Sequence, residues 1–197
     1  VQDWLPSLEG ATEKLERGAR VADVGCGHGL STLIMAEAYP DSSFVGYDIH
    51  EPSIVEARQL ARERGLSNVQ FEVAAAKEIP GRDWDLVTMF DCLHDMGDPA
   101  GAAAHVRSAL ADGGSLMVVE PMAQDELAQN MNPVGRVYYA FSTTICTPCS
   151  LSQEVGAALG AQAGQARLED VIVRQGGFAR LQRTTETPFN MVLEARN

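Results

Sequence analysis

Val21-Ala22-Asp23-Val24-Gly25-Cys26-Gly27-His28-Gly29 is an apolar run closed by three glycines at alternate positions. It reads as a strand entering a tight turn. Gly25 and Gly27 allow φ values and a backbone approach that a Cβ forbids, and Leu30 to Tyr39 then carries apolar residues at helical spacing. Strand, glycine turn and helix in succession form the entrance of a doubly wound α/β unit. There a ligand rests against bare backbone at the carboxyl end of the first strand.

Gly-x-Gly-x-Gly is shorter than the pyrophosphate fingerprint Gly-x-Gly-x-x-Gly, so the turn needs a second landmark. Ser43-Phe44-Val45-Gly46-Tyr47-Asp48 supplies it, as a short apolar run ending in an acid about twenty residues after the turn. An ionised carboxylate there can accept from both hydroxyls of a ribose. Asp48 is expected to face an open crevice and to make few contacts of its own.

The remaining chain keeps the alternation. Trp4 to Arg17 is an amphipathic helix broken near Pro6 and Gly10. A helix from Glu51 to Arg64, opened by Pro52 and stopped by Gly65, precedes a strand from Asn68 to Val73. Trp84 to Phe90 is apolar enough for a strand covered on both faces. Asp91, His94 and Asp95 follow at its carboxyl end, the edge that forms the ligand crevice. His94 is the candidate base, because an unperturbed imidazole titrates near neutrality. Asp91 or Asp95 can alternatively cap the next helix, Ala100 to Leu110. After a strand from Ser115 to Glu120, residues 121–165 exceed an ordinary connection. They are read as a lid or substrate wall with helices of its own, with Met122, Met131, Tyr138, Tyr139 and Phe141 available to line a pocket. A last helix, Arg167 to Gln175, leads to two antiparallel strands, Phe178–Glu186 and Phe189–Arg196.

Composition narrows the function. The 197 residues, 45% of them hydrophobic, suffice for one domain with one sizeable core. A net charge of −12 without a basic cluster repels a phosphate backbone, so nucleic acid is not expected as substrate. The apolar stretches are too short for a membrane span and no signal pattern opens the chain, so a soluble cytoplasmic protein is expected. Cys146-Thr147-Pro148-Cys149 has zinc-like spacing, yet no second ligand pair follows in sequence, and no metal site is expected.

Four segments together resemble the class I S-adenosylmethionine-dependent methyltransferases. They are Val21–Gly29, Gly46-Tyr47-Asp48-Ile49, Trp84–Asp95 and Leu110–Glu120, in the family's order. The resemblance implies a Rossmann-like doubly wound seven-stranded sheet with a C-terminal antiparallel hairpin, and S-adenosyl-L-methionine as cofactor. It implies cofactor contacts from Asp23, Gly25, Cys26, Gly27, Asp48, Ile49, Ala75, Ala76, Lys77 and Asp91, with Asp91 near the amino group or sulfonium. It also implies transfer of the methyl group to a small-molecule acceptor, with His94 as catalytic residue and a homodimer as a compatible assembly. Many relatives carry a carboxylate where this chain has Ala75, so adenine is left to the backbone of Ala75, Ala76 and Lys77. Many also carry a helical domain before the first strand. The chain starts at Val1, and is either part of a longer protein or does without that domain. Two other readings stand beside this one. A regulatory module would keep the fold and the cofactor but not catalysis, and a nicotinamide-dependent oxidoreductase is opposed by the hairpin ending.

Overall fold

The glycine turn leaves the carboxyl end of an interior strand, third of seven across the sheet, in a computed structural model that describes residues 1–197. The strands are β1 (Arg20–Val24), β2 (Ser43–Asp48), β3 (Val69–Val73), β4 (Trp84–Phe90), β5 (Leu110–Pro121), β6 (Arg180–Glu186) and β7 (Asn190–Arg196). Their order is β3-β2-β1-β4-β5-β7-β6. β1 to β5 are parallel, and β7 lies antiparallel between β5 and β6. This is the doubly wound sheet with a terminal hairpin that the sequence implied.

Burial on both faces explains why the central strands are almost continuously apolar. Along β1, Val21 joins Leu33, Ile54, Leu86, Met117 and Val192 in one core, while its neighbour Ala22 joins Val87, Leu116, Val118, Val106 and Ile172 in the other. Each fully buried side chain of this size contributes about 1.5–3 kcal/mol. The covering helices are α1 (Ala11–Arg17), α2 (Leu30–Ala38), α3 (Glu51–Glu63) and α4 (Pro99–Ala109). In the connection after β5, α5 (Pro133–Phe141) runs through a wide π-helical segment, Ser142–Cys146, into α6 (Thr147–Leu151). The last helix, α7 (Gly164–Glu169), also ends in a π-helical segment, Asp170–Gln175.

Two local readings are corrected. The cap of α4 is Asp98, whose side chain accepts from the Gly101 N–H at 2.8 Å, and neither Asp91 nor Asp95 takes that role. Pro99 fills the first helical position, so the acid directly before it is the one placed to cap. β5 begins at Leu110 rather than Ser115, because Leu110 pairs with Trp84 before a bulge lets the ladder resume at Leu86 and Ser115. Gly113, at φ 73°, supplies the left-handed conformation in that bulge.

The Phe71 ring sets how closely the elements around the turn approach. A Cβ on Gly46 would meet its Cδ1 at 2.5 Å and Cys26 Sγ at 2.9 Å, and one on Gly29 would meet its Cε1 at 2.6 Å. Gly46→Ala therefore overpacks this contact and lowers stability by about 1–3 kcal/mol in urea denaturation. Combined with Phe71→Leu the loss is less than the sum of the single effects, and strict additivity would show that the ring is not the obstacle.

Candidate active site

The turn is built from paired backbone bonds. The N–H groups of Gly25 and Cys26 both donate to the Tyr47 carbonyl, at 2.8 and 3.0 Å, and the Gly29 N–H donates to the Cys26 carbonyl at 2.9 Å. Gly25, Gly27 and Gly29 all have positive φ, at 73°, 54° and 78°. Asp48 is not the lightly held side chain expected. Its Oδ2 accepts from the Gly27 N–H at 2.9 Å and its Oδ1 from the His50 N–H at 2.8 Å. The turn after β2 sits against the turn after β1, so the nearest donors are amides of the fold itself. A carboxylate has about four acceptor positions, so two remain for an incoming diol.

Beside this turn lies a cavity of about 380 Å³. Gly25, Asp48 and Ile49 form one wall and Ala74, Ala75, Ala76 and Lys77 the next. Cys92, Asp95, Met96, Asp98 and Ala102 approach from the β4 side. A Cβ on Gly25 would meet Cys92 Sγ at 2.6 Å, so any larger residue there displaces the cavity wall. The Cys92 thiol itself donates to the Val24 carbonyl at 3.2 Å, tying the ends of β4 and β1 together. The Ala75 carbonyl accepts from the Glu78 N–H at 2.9 Å, which holds the turn after β3 in place. Small apolar faces around one carboxylate and bare backbone fit a nucleoside with a vicinal diol.

Of the residues named from sequence, Gly25, Asp48, Ile49, Ala75, Ala76 and Lys77 line the cavity. Gly27 borders it by holding Asp48. Asp23 does not reach it. That side chain is 1% exposed and accepts from Ser31 Oγ, Thr32 Oγ1 and Thr88 Oγ1 at 2.7, 2.6 and 2.9 Å, fastening α2 and β4 beneath the turn. Burial pushes its pKa up while the three hydroxyls oppose the shift. Cys26 is likewise buried under the turn, with its thiol against Gly46. Asp91 stands exposed outside the cavity in a left-handed conformation, φ 55°, its N–H donating to the Val119 carbonyl at 2.7 Å.

Sequence reading missed Met96, Asp98 and Ala102 near β4, and also Cys149, Gln153 and Glu154. The last three come from the long connection after β5. Gln153 is fixed at both ends of its amide, accepting from the Gly97 N–H at 3.0 Å and donating to the Asp95 carbonyl at 2.9 Å. Ser150 Oγ donates to the Met96 carbonyl at 2.7 Å, and Lys77 Nζ meets Glu154 Oε2 at 2.5 Å. Nothing in the spacing of the sequence pairs residues so far apart. Of the apolar candidates in this connection, Met131 and Phe141 are exposed, while Met122 packs on the core.

His94 lies behind the cavity, 3% exposed. Its Nδ1 is 2.5 Å from Glu120 Oε2, and the other Glu120 oxygen accepts from the Leu93 N–H at 3.1 Å. Its Nε2 is 3.2 Å from Asp95 Oδ1. Burial alone would lower the imidazole pKa, but the Glu120 hydrogen bond and the charges of Glu120, Asp95 and Asp91 outweigh it and hold the value at about 9. This corrects the expectation of an unperturbed histidine, since the ring holds its proton to higher pH than a free imidazole does. The bond to Glu120 reserves Nδ1–H, so Nε2 is the nitrogen that gains or loses a proton.

A family model described as a methyltransferase domain matches residues 15–192. An aklanonic acid methyltransferase from a Streptomyces species is 36% identical over 108 residues, which cover 53% of this chain and 49% of that protein. A trans-aconitate 2-methyltransferase from an Acidovorax species is 31% identical over 146 residues, covering 64% of this chain and 53% of that protein. The chain thus spans about half the length of these relatives. Among solved structures, an O-methyltransferase family protein from Burkholderia thailandensis superposes with a TM-score of 0.72 at 20% identity, covering 97% of this chain and 53% of that one. Human N-acetylserotonin methyltransferase, in complex with S-adenosylmethionine, superposes with a TM-score of 0.69 at 17% identity, covering 100% of this chain and 51% of that one. At these identities the two structures show the fold.

Two measurements test the geometry itself. Asp48→Ala strands two backbone N–H groups and lowers unfolding stability by about 1–2 kcal/mol, with Asp48→Asn between it and wild type; an unchanged midpoint in urea contradicts the bonds described. Because the His94 pKa is raised from 6.5 to about 9 in the fold, its contribution is complete below pH 6.5 and is lost as pH rises through 9. The stability difference between wild type and His94→Gln therefore shrinks over that interval, and a difference constant with pH overturns the assignment.

Proposed function

The chain belongs to the methyltransferase domain family, and on that premise we propose that it is an S-adenosylmethionine-dependent enzyme that methylates a small-molecule acceptor. The observation that carries the reading is the convergence of Gly25, Asp48 and the Ala74–Lys77 turn on one cavity. The four free cysteines suit action in a reducing cytoplasm. No helix is long and apolar enough to cross a membrane.

The residues divide the work. S-adenosylmethionine, when bound, supplies an electrophilic methyl group on a sulfonium. Asp48 would hold the ribose diol, Ile49 and the Ala75–Lys77 backbone the base, and Gly25 and Gly27 the amino-acid part, with Asp23 and Cys26 fixing the turn from below. Asp91 lies outside the cavity, so its charge would act on the amino group or sulfonium only at a distance. Positioning alone provides much of the rate when nucleophile, methyl and sulfur are collinear. His94 would take the proton of an acceptor hydroxyl at Nε2 once the ring is neutral, with Glu120 setting its tautomer. The names of the relatives, acids among their acceptors, support an oxygen nucleophile.

A cofactor-binding module without catalysis is the competing reading, favoured by Ala75 where the family resemblance implies a carboxylate. The buried His94–Glu120 pair opposes it, since a site kept only for binding has no use for an oriented imidazole.

Calorimetric titration separates the readings. Wild type binds S-adenosylhomocysteine and not NAD, and Asp48→Ala binds it more than about tenfold more weakly, given about 1.5–3 kcal/mol per charge-assisted bond. Binding of NAD alone refutes the proposal. With an acceptor in hand, kcat/KM rises with pH toward about 9 and His94→Gln removes that rise. A profile shared by both proteins removes His94 from the chemistry.

A further inference from the structure

The fold brings Cys146 to the open side of His94, although the two are far apart in sequence. Cys146 closes the π-helical segment Ser142–Cys146 and is its one buried residue, 6% exposed. Wide π-helical turns often mark functional positions, because the extra residue redirects a side chain. Here the buried side chain of the segment is a thiol. Cys146 Sγ, His94 Nε2 and Asp95 Oδ1 all lie within 4.8 Å of one another. Asp95 Oδ1 is buried and stands 3.2 Å from His94 Nε2 without completing a hydrogen bond to it. On the far side of the imidazole, Glu120 holds Nδ1 at 2.5 Å.

We propose that Cys146, His94 and Asp95 form a three-ligand site for a divalent transition ion of the zinc class. A thiolate, an imidazole nitrogen and one carboxylate oxygen are the donor types zinc takes, and three of them leave a fourth position for water or another ligand. Magnesium and calcium require oxygen donors throughout and are not accommodated. Glu120 plays the part of the carboxylate that orients a metal-bound histidine from behind. The geometry is also secured from both chain segments. The Gly160 N–H donates to the His94 carbonyl at 3.2 Å, and Ser150 Oγ to the Met96 carbonyl at 2.7 Å, so the segments bearing the ligands are already joined.

Coordination forms metal–sulfur, metal–nitrogen and metal–oxygen bonds and releases the Cys146 thiol proton and the His94 Nε2 proton to solvent. The ion thereby occupies the nitrogen that methyl transfer needs, and zinc inhibits the enzyme. That consequence rests on the function proposed above; binding of the ion does not.

The test uses the full chain, stripped by a chelator and titrated with cobalt(II). One equivalent produces the intense visible bands of a four-coordinate ion and a thiolate-to-cobalt charge-transfer band, and zinc bleaches both. Cys146→Ser removes the charge-transfer band, Asp95→Asn weakens binding about tenfold or more, and Cys149→Ser leaves the spectrum unchanged. Circular dichroism of each variant confirms that it is folded. No saturable band, or a charge-transfer band that survives Cys146→Ser, overturns the site. The cobalt spectrum does not require turnover, so a preparation without methyl transfer still tests the ligands.

Discussion

The site depends on one carboxylate held by two backbone amides. Asp48 accepts from Gly27 on one side and from His50 on the other, and so joins the turn after β1 to the turn after β2. Each bond is charge-assisted, and together they fix a glycine-rich loop that has little conformational preference of its own. The same carboxylate borders the cavity, so the group that would bind the diol is also the group that shapes the cradle. Loop order and ligand recognition are therefore not separable at this position.

The other ionisable groups are arranged around that constraint. Asp23, one strand over, is consumed by three hydroxyls and locks α2 and β4 beneath the loop. Glu120, at the carboxyl end of β5, is consumed by His94 and the Leu93 amide. Both are fully buried, and burial costs a carboxylate several kcal/mol unless its acceptors are filled. Filling them with fixed donors gives rigid supports under the turn and behind the imidazole.

The alternation of strands and helices was legible because each element's apolar period is local, and the terminal hairpin followed from the same pattern. The glycine turn and Asp48 were legible because one strand and one helix place them. What the sequence did not disclose depends on contacts between distant segments. Gln153 and Glu154 reach the cavity only because the connection after β5 folds back onto Gly97, Asp95 and Lys77. Asp23 resembled a cofactor ligand until its hydroxyl partners, from α2 and β4, were in place. The raised pKa of His94 comes from Glu120 on the next strand, and no spacing within Asp91–Asp95 foretells it.

A crystal structure of the full chain with S-adenosylhomocysteine tests the account most directly. It predicts both ribose hydroxyls within about 3.2 Å of the Asp48 carboxylate, the Gly27 and His50 amide bonds retained, and the adenine against Ala74–Lys77. A ligand bound elsewhere, or a ribose beyond hydrogen-bond reach of Asp48, would contradict it.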